Sequence, residues 1–327
     1  MYSVVIPTNR SFHHIEPLLQ SLARQIFQPS QIVIVYDQYA TSEEFEAYTD
    51  SVTTLFAGLK MTQLDIIHPL SDRRFKIGRW ASYVRNYGAH QVTSPDMMYI
   101  DDDNTFDEYF MQKIFEYKNN KNYHPDRTLV VPLQYDDTTT FVRQAVADRF
   151  NFMLCRPRRV TNRLLESSDR YCPLVLSSSN CLVGSTSLFQ QFPFDEEVPF
   201  VYEDLILTGQ MSQAGIDIIC DSWSSVIHAH GQRGVLAGLY INTPLRAYYK
   251  AKHRIFLIHT IGSFGDKVVF YAIGLPGQTG WLALHILVYA PIWDWFGLLW
   301  ALVRGTVSGI RAVKGEVKGR KKGGKGI

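Results

Sequence analysis

The sequence lacks the glycine-rich turn that cradles phosphates beside the first strand of many nucleotide-binding sheets, since Pro7–Phe12 contains no glycine. That counts against a nucleotidyltransferase or an epimerase built on such a loop. Cysteine is scarce: Cys155, Cys172, Cys181 and Cys220 form no CxxC pair and have no zinc-like spacing. A chain of 327 residues buries enough apolar surface to do without disulfides, so the four read as scattered thiols in a reducing compartment. Met1–Pro7 has no basic stretch leading into a long apolar one, which is the pattern of a secretory leader, so the catalytic part is expected in the cytosol. There is no internal repeat, and no low-complexity segment precedes the tail. A net charge of +2 gives no hint of a nucleic-acid partner, and 46% apolar with 20% charged residues describes an ordinary globular protein.

The first 100 residues alternate strand-like and helix-like stretches. Tyr2–Ile6, Gln31–Tyr36, Thr62–His68 and Met97–Ile100 are short apolar runs that read as strands. Between them, Phe12–Phe27, Glu43–Leu59 and Ile77–Gln91 carry apolar residues at helical spacing. This order predicts right-handed βαβ crossovers and an α/β fold with a mostly parallel sheet flanked by helices. Ligands of such sheets bind beyond the carboxyl ends of the strands, where Asp37 and Asp101–Asp103 fall. The middle reads as α+β, with strands at Thr128–Leu133 and Cys181–Ser185, a helix within Phe200–Ala214 closed by Gly215, and short strands at Ile216–Cys220 and Ser225–His230.

Four groups of side chains carry chemistry. Asp101, Asp102 and Asp103 repel one another unless solvent or a cation relieves them. They are hard oxygen ligands for Mg²⁺ or Mn²⁺, or else a solvated turn capping the next helix. Strand alternation predicts that Asp101 and Asp103 share a side. Glu203 and Asp204 open a helix, where they offset the helix dipole or supply a general base. His228 and His230 share a strand face beside Gly231, as structural histidines or as the edge of a metal site. Arg85, followed by Asn86, is either one of a surface pair or a planar fork for a base or diphosphate.

The composition shifts after about residue 266. Val268–Leu275 and Trp281–Val303 are strongly apolar; the second run holds 23 residues, with Pro291 and Asp294 inside it and six aromatics. Arg311–Ile327 then carries seven Lys/Arg against one acid, Glu316. The pattern predicts membrane-associating helices that lie in the interface rather than span it, held by a basic tail. A helical pair packed on the core is the other reading.

Taken in order, VVIPTNR (Val4–Arg10), IVIVYDQ (Ile32–Gln38), RNYGAH (Arg85–His90), MMYIDDDN (Met97–Asn104), VYEDLILTGQMSQAG (Val201–Gly215), SVIHAHG (Ser225–Gly231) and YYKAKHRIFLI (Tyr248–Ile258) resemble the inverting family-2 glycosyltransferases of GT-A fold. The resemblance is to the rhamnosyltransferase-like members in particular. The likeness covers roughly residues 1–260, about four-fifths of the chain. It implies a catalytic domain over 1–265, with a nucleotide-binding half (1–104) and an acceptor-binding half (105–265), followed by a membrane-associating segment (266–327). The implied reaction moves a hexosyl or deoxyhexosyl unit from a nucleotide diphospho-sugar, with Mn²⁺ or Mg²⁺, to a lipid-linked or membrane-associated glycan. The cytoplasmic face of the cell membrane, and envelope polysaccharide synthesis, are the implied setting. By the resemblance, Pro7, Thr8 and Asp37 bind the base or ribose, Arg85 lies near base and diphosphate, and Asp101 and Asp102 face the donor. Asp103, with Asp101 and His228 or His230, holds the metal, while Asp204 is the base supported by Glu203.

Two features depart from the pattern. Gln38-Tyr39 follow Asp37 where relatives show Gly-Ser, and Lys252-His253-Arg254 stand where they show Arg-Asn. The Gln-X-X-Arg-Trp signature of processive synthases is absent, so one or few sugars per encounter are expected. A membrane-bound scaffold without activity is the competing class; metal-dependent hydrolysis of a nucleotide sugar separates the two.

Overall fold

The computed structural model of the chain describes residues 1–57, 63–136, 139–142, 145–151, 153, 156–159, 169–178, 180–229 and 234–323, in backbone only at 136, 139–142, 145–149, 156–159, 178 and 315–323. Its strands are β1 (Tyr2–Thr8), β2 (Gln31–Tyr36), β3 (Gln63–Ile67), β4 (Asp96–Ile100), β5 (Asn104–Thr105), β6 (Thr128–Asp136), β7 (Thr139–Val142), β8 (Ala145–Asn151), β9 (Arg156–Arg159), β10 (Tyr171–Leu174), β11 (Leu176–Ser178), β12 (Cys181–Ser185) and β13 (Asp217–His228). The helices are α1 (Phe12–Ala23), α2 (Ser42–Phe56), α3 (Trp80–Ala89), α4 (Phe110–Glu116), α5 (Thr186–Gln191), α6 (Glu203–Gln213), α7 (Val235–Gly238), α8 (Pro244–Ile261), α9 (Phe264–Val269), α10 (Leu275–Tyr289) and α11 (Trp295–Gly323).

Strands β1 and β2 are mostly apolar because both of their faces are covered. Val5, Val33 and Val35 join one core; Val4, Ile6, Ile32 and Ile34 join the core on the opposite face. The main sheet runs β10-β13-β6-β12-β4-β1-β2-β3, with β5 on β13 and β7 on β6. Its β4-β1-β2-β3 half is parallel, as expected, while β12 enters antiparallel between β4 and β6. A smaller sheet, β11-β8-β9, lies beside it. Helix α3 sits tightly on β1: a Cβ on Gly88 would lie 2.5 Å from a Val5 methyl.

Local differences from the expected elements have visible causes. The helix expected from Ile77 starts at Trp80, because Gly78 and Trp80 are both left-handed, at φ 75° and 71°. The two short strands expected at Ile216–Cys220 and Ser225–His230 are one strand, β13, whose register slips between Asp221 and Ser225. Buried Asp221 takes hydrogen bonds from Arg170 and Ser224, which pins the irregularity. Cys172, Cys181 and Cys220 carry no disulfide, while Cys155 lies outside the described residues.

The apolar run Trp281–Val303 is not one element. Helix α10 ends at Tyr289, a turn follows over Ile292–Asp294, and α11 begins at Trp295, whose indole N–H donates to the Ala290 carbonyl at 3.0 Å. Proline lacks the N–H and breaks the helix there. Helix α11 lies along α8 at very close range. A Cβ on Gly305 would be 2.2 Å from the Tyr248 carbonyl oxygen, and one on Gly309 2.9 Å from that of Lys252. Ala247, Ala251, Leu298 and Leu302 fill the seam, with Leu282 and Ile286 of α10 against them. The outer face exposes Leu284, Val288, Trp293, Phe296, Trp300 and Val303. One face of the segment is therefore packed on α8 and the other is open. Ile292–Lys314, 23 residues that include an 18-residue window of mean hydropathy 1.2, is long and apolar enough to cross a membrane.

Candidate active site

The ends of β1, β2 and β4 meet at one rim. The Asp37 amide donates to the Thr8 carbonyl at 2.7 Å, closing β2 against β1 just beyond Pro7. The Asp37 carboxylate accepts the Gly78 amide at 2.6 Å, so it also holds the loop leading into α3. Burial raises this carboxyl above its ordinary range, with the Gly78 and Trp80 amides pulling the other way.

The three aspartates do not act alike. Strand β4 ends at Ile100 and residues 102–103 turn, so the alternation that would put Asp101 and Asp103 on one side stops short. Asp101 is held by Arg85, Nη2 to Oδ1 at 2.6 Å. Asp102 is buried and accepts the Thr8 hydroxyl at 2.6 Å, which locks β4 to β1. Burial pushes its carboxyl up to about 6, against the Thr8 hydrogen bond and the Arg10 charge. Asp103 accepts Arg10 Nη2 at 3.0 Å, and its other oxygen lies 2.9 Å from His228 Nε2. Burial works to raise the Asp103 carboxyl, but His228 and Arg10 outweigh it and hold it below the usual range.

Among the described residues no three His, Cys, Asp or Glu side chains converge on one point, so the expected set of Asp101, Asp103 and a histidine is not assembled. Asp101 has gone to Arg85. A pair remains. Asp103 Oδ1 is buried with no donor hydrogen among the described residues aimed at it, although His228 Nε2 is close. Two ligands of an octahedral Mg²⁺ at about 2.1 Å, set at right angles, lie about 3.0 Å apart. The Asp103–His228 pair, an oxygen and an imidazole nitrogen 2.9 Å apart at a strand-end rim, fits two such positions. His230 lies outside the described residues.

Arg85 joins this rim to the far side of the site. It is buried; one guanidinium nitrogen reaches Asp101, another reaches Glu203 Oε1 at 3.2 Å, and its plane lies over the Phe194 ring at 5.0 Å. Burial would lower its pKa, but the two carboxylates more than restore it, so the cation is firmly kept. Burial raises the Glu203 carboxyl, opposed by Arg85. Asp204, next to it, is half-buried in the first turn of α6, and its Oδ1 accepts the Leu205 amide at 2.8 Å.

The sequence-predicted residues thus fall into two linked groups. Pro7, Thr8, Asp37, Asp101, Asp102, Asp103 and His228 form the rim, and Arg85 ties it to Glu203 and Asp204. Sequence reasoning gave no role to Arg10, though it stands within the quoted Val4–Arg10 motif. It weighed Asn104 only as a helix cap and overlooked Asn180; their side-chain amides donate to the Asp101 carbonyl at 2.9 Å and to Asn104 Oδ1 at 3.0 Å and so brace the turn. Only the motif membership of Arg10 and Asn104 was a signal.

No protein-family profile matches the chain, and no curated protein matches it in sequence. Its fold does match solved structures. S. aureus TarS 1–349 superposes with a TM-score of 0.56 at 14% identity, over 93% of this chain and 80% of that one. The same protein in complex with UDP-GlcNAc gives 0.57 at 14% identity, over 93% and 81%. GalNAc-T7 with UDP, GalNAc and Mn²⁺ gives 0.55 at 12% identity, over 89% of this chain and 58% of that one. The shared fold is GT-A, an α/β sheet flanked by helices, here followed by a long apolar C-terminal helix.

Proposed function

We propose that this chain is an inverting glycosyltransferase that moves a hexosyl or deoxyhexosyl unit from a nucleotide diphospho-sugar to a hydroxyl of a lipid-linked or membrane-associated glycan. The observation that carries the reading is the buried Arg85 bridge, which couples an acid of the donor rim, Asp101, to the first turn of the helix bearing Glu203 and Asp204. TarS in complex with UDP-GlcNAc, and GalNAc-T7 with UDP, GalNAc and Mn²⁺, support a uridine nucleotide sugar and a divalent metal.

In this reading the nucleotide lies over the ends of β1, β2 and β4, with Asp37 and the Pro7-Thr8 turn at the base or ribose. Asp103 and His228 would hold Mn²⁺ or Mg²⁺, which when bound supplies positive charge to the leaving diphosphate. Arg85 holds Glu203 in place and opposes the effect of its burial, and the neighbouring Asp204 takes the proton of the acceptor hydroxyl. The acceptor oxygen then forms its bond to C1 as the C1–O bond to the diphosphate breaks on the opposite face. The bonding pair leaves with the diphosphate, and configuration inverts. General-base catalysis of this kind typically contributes ~10²–10⁴ in rate. The open aromatic face of α10 and α11, followed by the basic tail, supports attachment to the cytoplasmic surface of a membrane as a peripheral or monotopic protein.

Metal-dependent release of UDP from UDP-sugars tests the proposal, with Asp204→Asn and Asp103→Ala as variants. Asp204→Asn should bind UDP nearly as well as the parent while losing transfer by ~10² or more. Asp103→Ala should lose the metal-dependent part of UDP affinity. Absence of nucleotide binding and turnover in the parent would overturn the function, and a normal Asp204→Asn would move the base elsewhere.

A further inference from the structure

Strained backbone gathers at one wall of the site. Among the described residues, four that are not glycine have left-handed φ: Trp80 (71°), Val201 (63°), Tyr202 (75°) and Tyr240 (55°). Side chains of this bulk adopt the conformation only where their surroundings impose it, and such residues concentrate at functional sites. Here they are neighbours. The Trp80 indole stacks on Phe200, with ring centroids 5.1 Å apart and planes 29° apart, and Phe200 directly precedes Val201. The Lys250 ammonium lies over the rings of both Tyr202 and Tyr240, at 4.4 and 5.8 Å.

The wall is fixed from behind. His253 Nδ1 lies 2.9 Å from the Phe200 carbonyl oxygen and 3.1 Å from that of Val201. The Ser82 hydroxyl donates to the Val198 carbonyl at 2.6 Å, and the Ser82 amide to that of Pro199 at 3.3 Å. The Phe200 ring meets Tyr249 edge-on at 4.9 Å. These contacts hold the indole in place while leaving it 44% exposed.

Trp80 belongs to both halves of the site. Its backbone follows the loop whose Gly78 amide is bound by Asp37, on the donor side. Its ring rests on the segment that runs four residues later into Asp204, while Arg85 on the same helix reaches Glu203. The indole therefore stands where the element tied to Asp37 meets the segment that leads into Asp204. An acceptor hydroxyl must lie between donor and base to be deprotonated and to attack.

We propose that Trp80, backed by Phe200, is the acceptor subsite and takes a pyranose ring by its C–H face. This deepens, and rests on, the glycosyltransferase reading. The face of an indole is electron-rich and favours the weakly positive C–H groups that one side of a pyranose presents together. A linear polyol or a bare phosphate has no such face. The subsite thus selects a sugar ring as the acceptor's reacting unit, and the left-handed turn sets the height of that ring relative to Asp204.

The test uses the full chain with a UDP-sugar and Mn²⁺, measuring UDP release with methyl pyranosides (hexosides, N-acetylhexosaminides and deoxyhexosides) and with glycerol or ribitol as acceptors. UDP affinity is measured in parallel by calorimetry. The parent should accept at least one pyranoside with saturation and neither polyol. Trp80→Ala should raise the acceptor KM at least tenfold with UDP affinity unchanged, and Trp80→Phe should recover most of the loss. Equal use of polyols, a pyranoside KM that does not respond to Trp80→Ala, or a parent that binds UDP yet accepts no pyranoside would overturn the subsite alone. A matching loss of UDP affinity in Trp80→Ala would place the indole on the nucleotide instead. A parent that neither binds UDP nor turns over any donor would overturn the underlying glycosyltransferase reading and this subsite with it.

Discussion

Acidification from pH 7 to 5 should cost this protein about 2 kcal/mol of stability through His253 alone. The imidazole is fully buried, and burial drives its pKa down to about 4, with Lys252 nearby adding to the effect and the Phe200 and Val201 carbonyls opposing it. The rings of Tyr249 and Phe256 line its surroundings. In the unfolded chain the same group titrates near about 6.5. Between those values the unfolded state binds a proton that the folded state refuses. The stabilising difference is therefore fully present above about 6.5 and is lost as pH falls towards 4. At pH 5 the unfolded imidazole is almost wholly protonated and the folded one mostly neutral, which yields the figure above.

Two measurements check this. In ¹⁵N-histidine NMR, the resonance that disappears in His253→Gln should stay that of a neutral ring down to pH 5. The urea midpoint of the parent should fall from pH 7 to 5 more steeply than that of His253→Gln, whose side chain takes no proton. Titration of the His253 resonance between pH 6 and 7, or identical pH slopes for the two proteins, would refute the reasoning.

The packing of α11 on α8 makes a paired prediction for thermal denaturation. Gly305→Ala places a methyl 2.2 Å from the Tyr248 carbonyl and should destabilise by roughly 1–3 kcal/mol. Gly277→Ala, where nothing lies within 4 Å, should be neutral or slightly stabilising. If both behave alike, the close approach of the helices is wrong. For the membrane surface, the chain should co-sediment with phosphatidylglycerol vesicles. Binding should weaken with salt, with reversal of Lys318, Arg320, Lys321 and Lys322, and with Trp293→Ala plus Phe296→Ala, which remove aromatics 79% and 80% exposed. No binding at any salt concentration would leave the segment as core packing only.

Much of the scaffold was legible because its signals are local. Gln31–Tyr36 and Cys181–Ser185 match the expected strands residue for residue, since a strand buried on both faces has an almost unbroken apolar interior between its two ends. The acidic start of α6 is read the same way, within one turn of helix. Where a limit moved, a non-local cause moved it. Helix α3 starts late because its approach loop is tied to Asp37 across the rim, and β13 runs unbroken because Arg170 stabilises Asp221 at the slip.

The sequence by itself placed carboxylates at the end of a buried strand and at the start of a helix, and so pointed to a rim where anionic ligands and cations meet. It also marked a terminal segment rich in aromatics and base. Only the tertiary structure decided which acid serves which partner: Asp101 goes to Arg85, Asp102 to Thr8, and Asp103 to Arg10 and His228. It likewise split the run around Pro291 and laid Gly305 against Tyr248. Periodicity and spacing report what one stretch of chain does to itself. Partners such as Arg85 and Glu203, 118 residues apart, are chosen by strand order, by where β4 stops, and by how closely one helix can approach another.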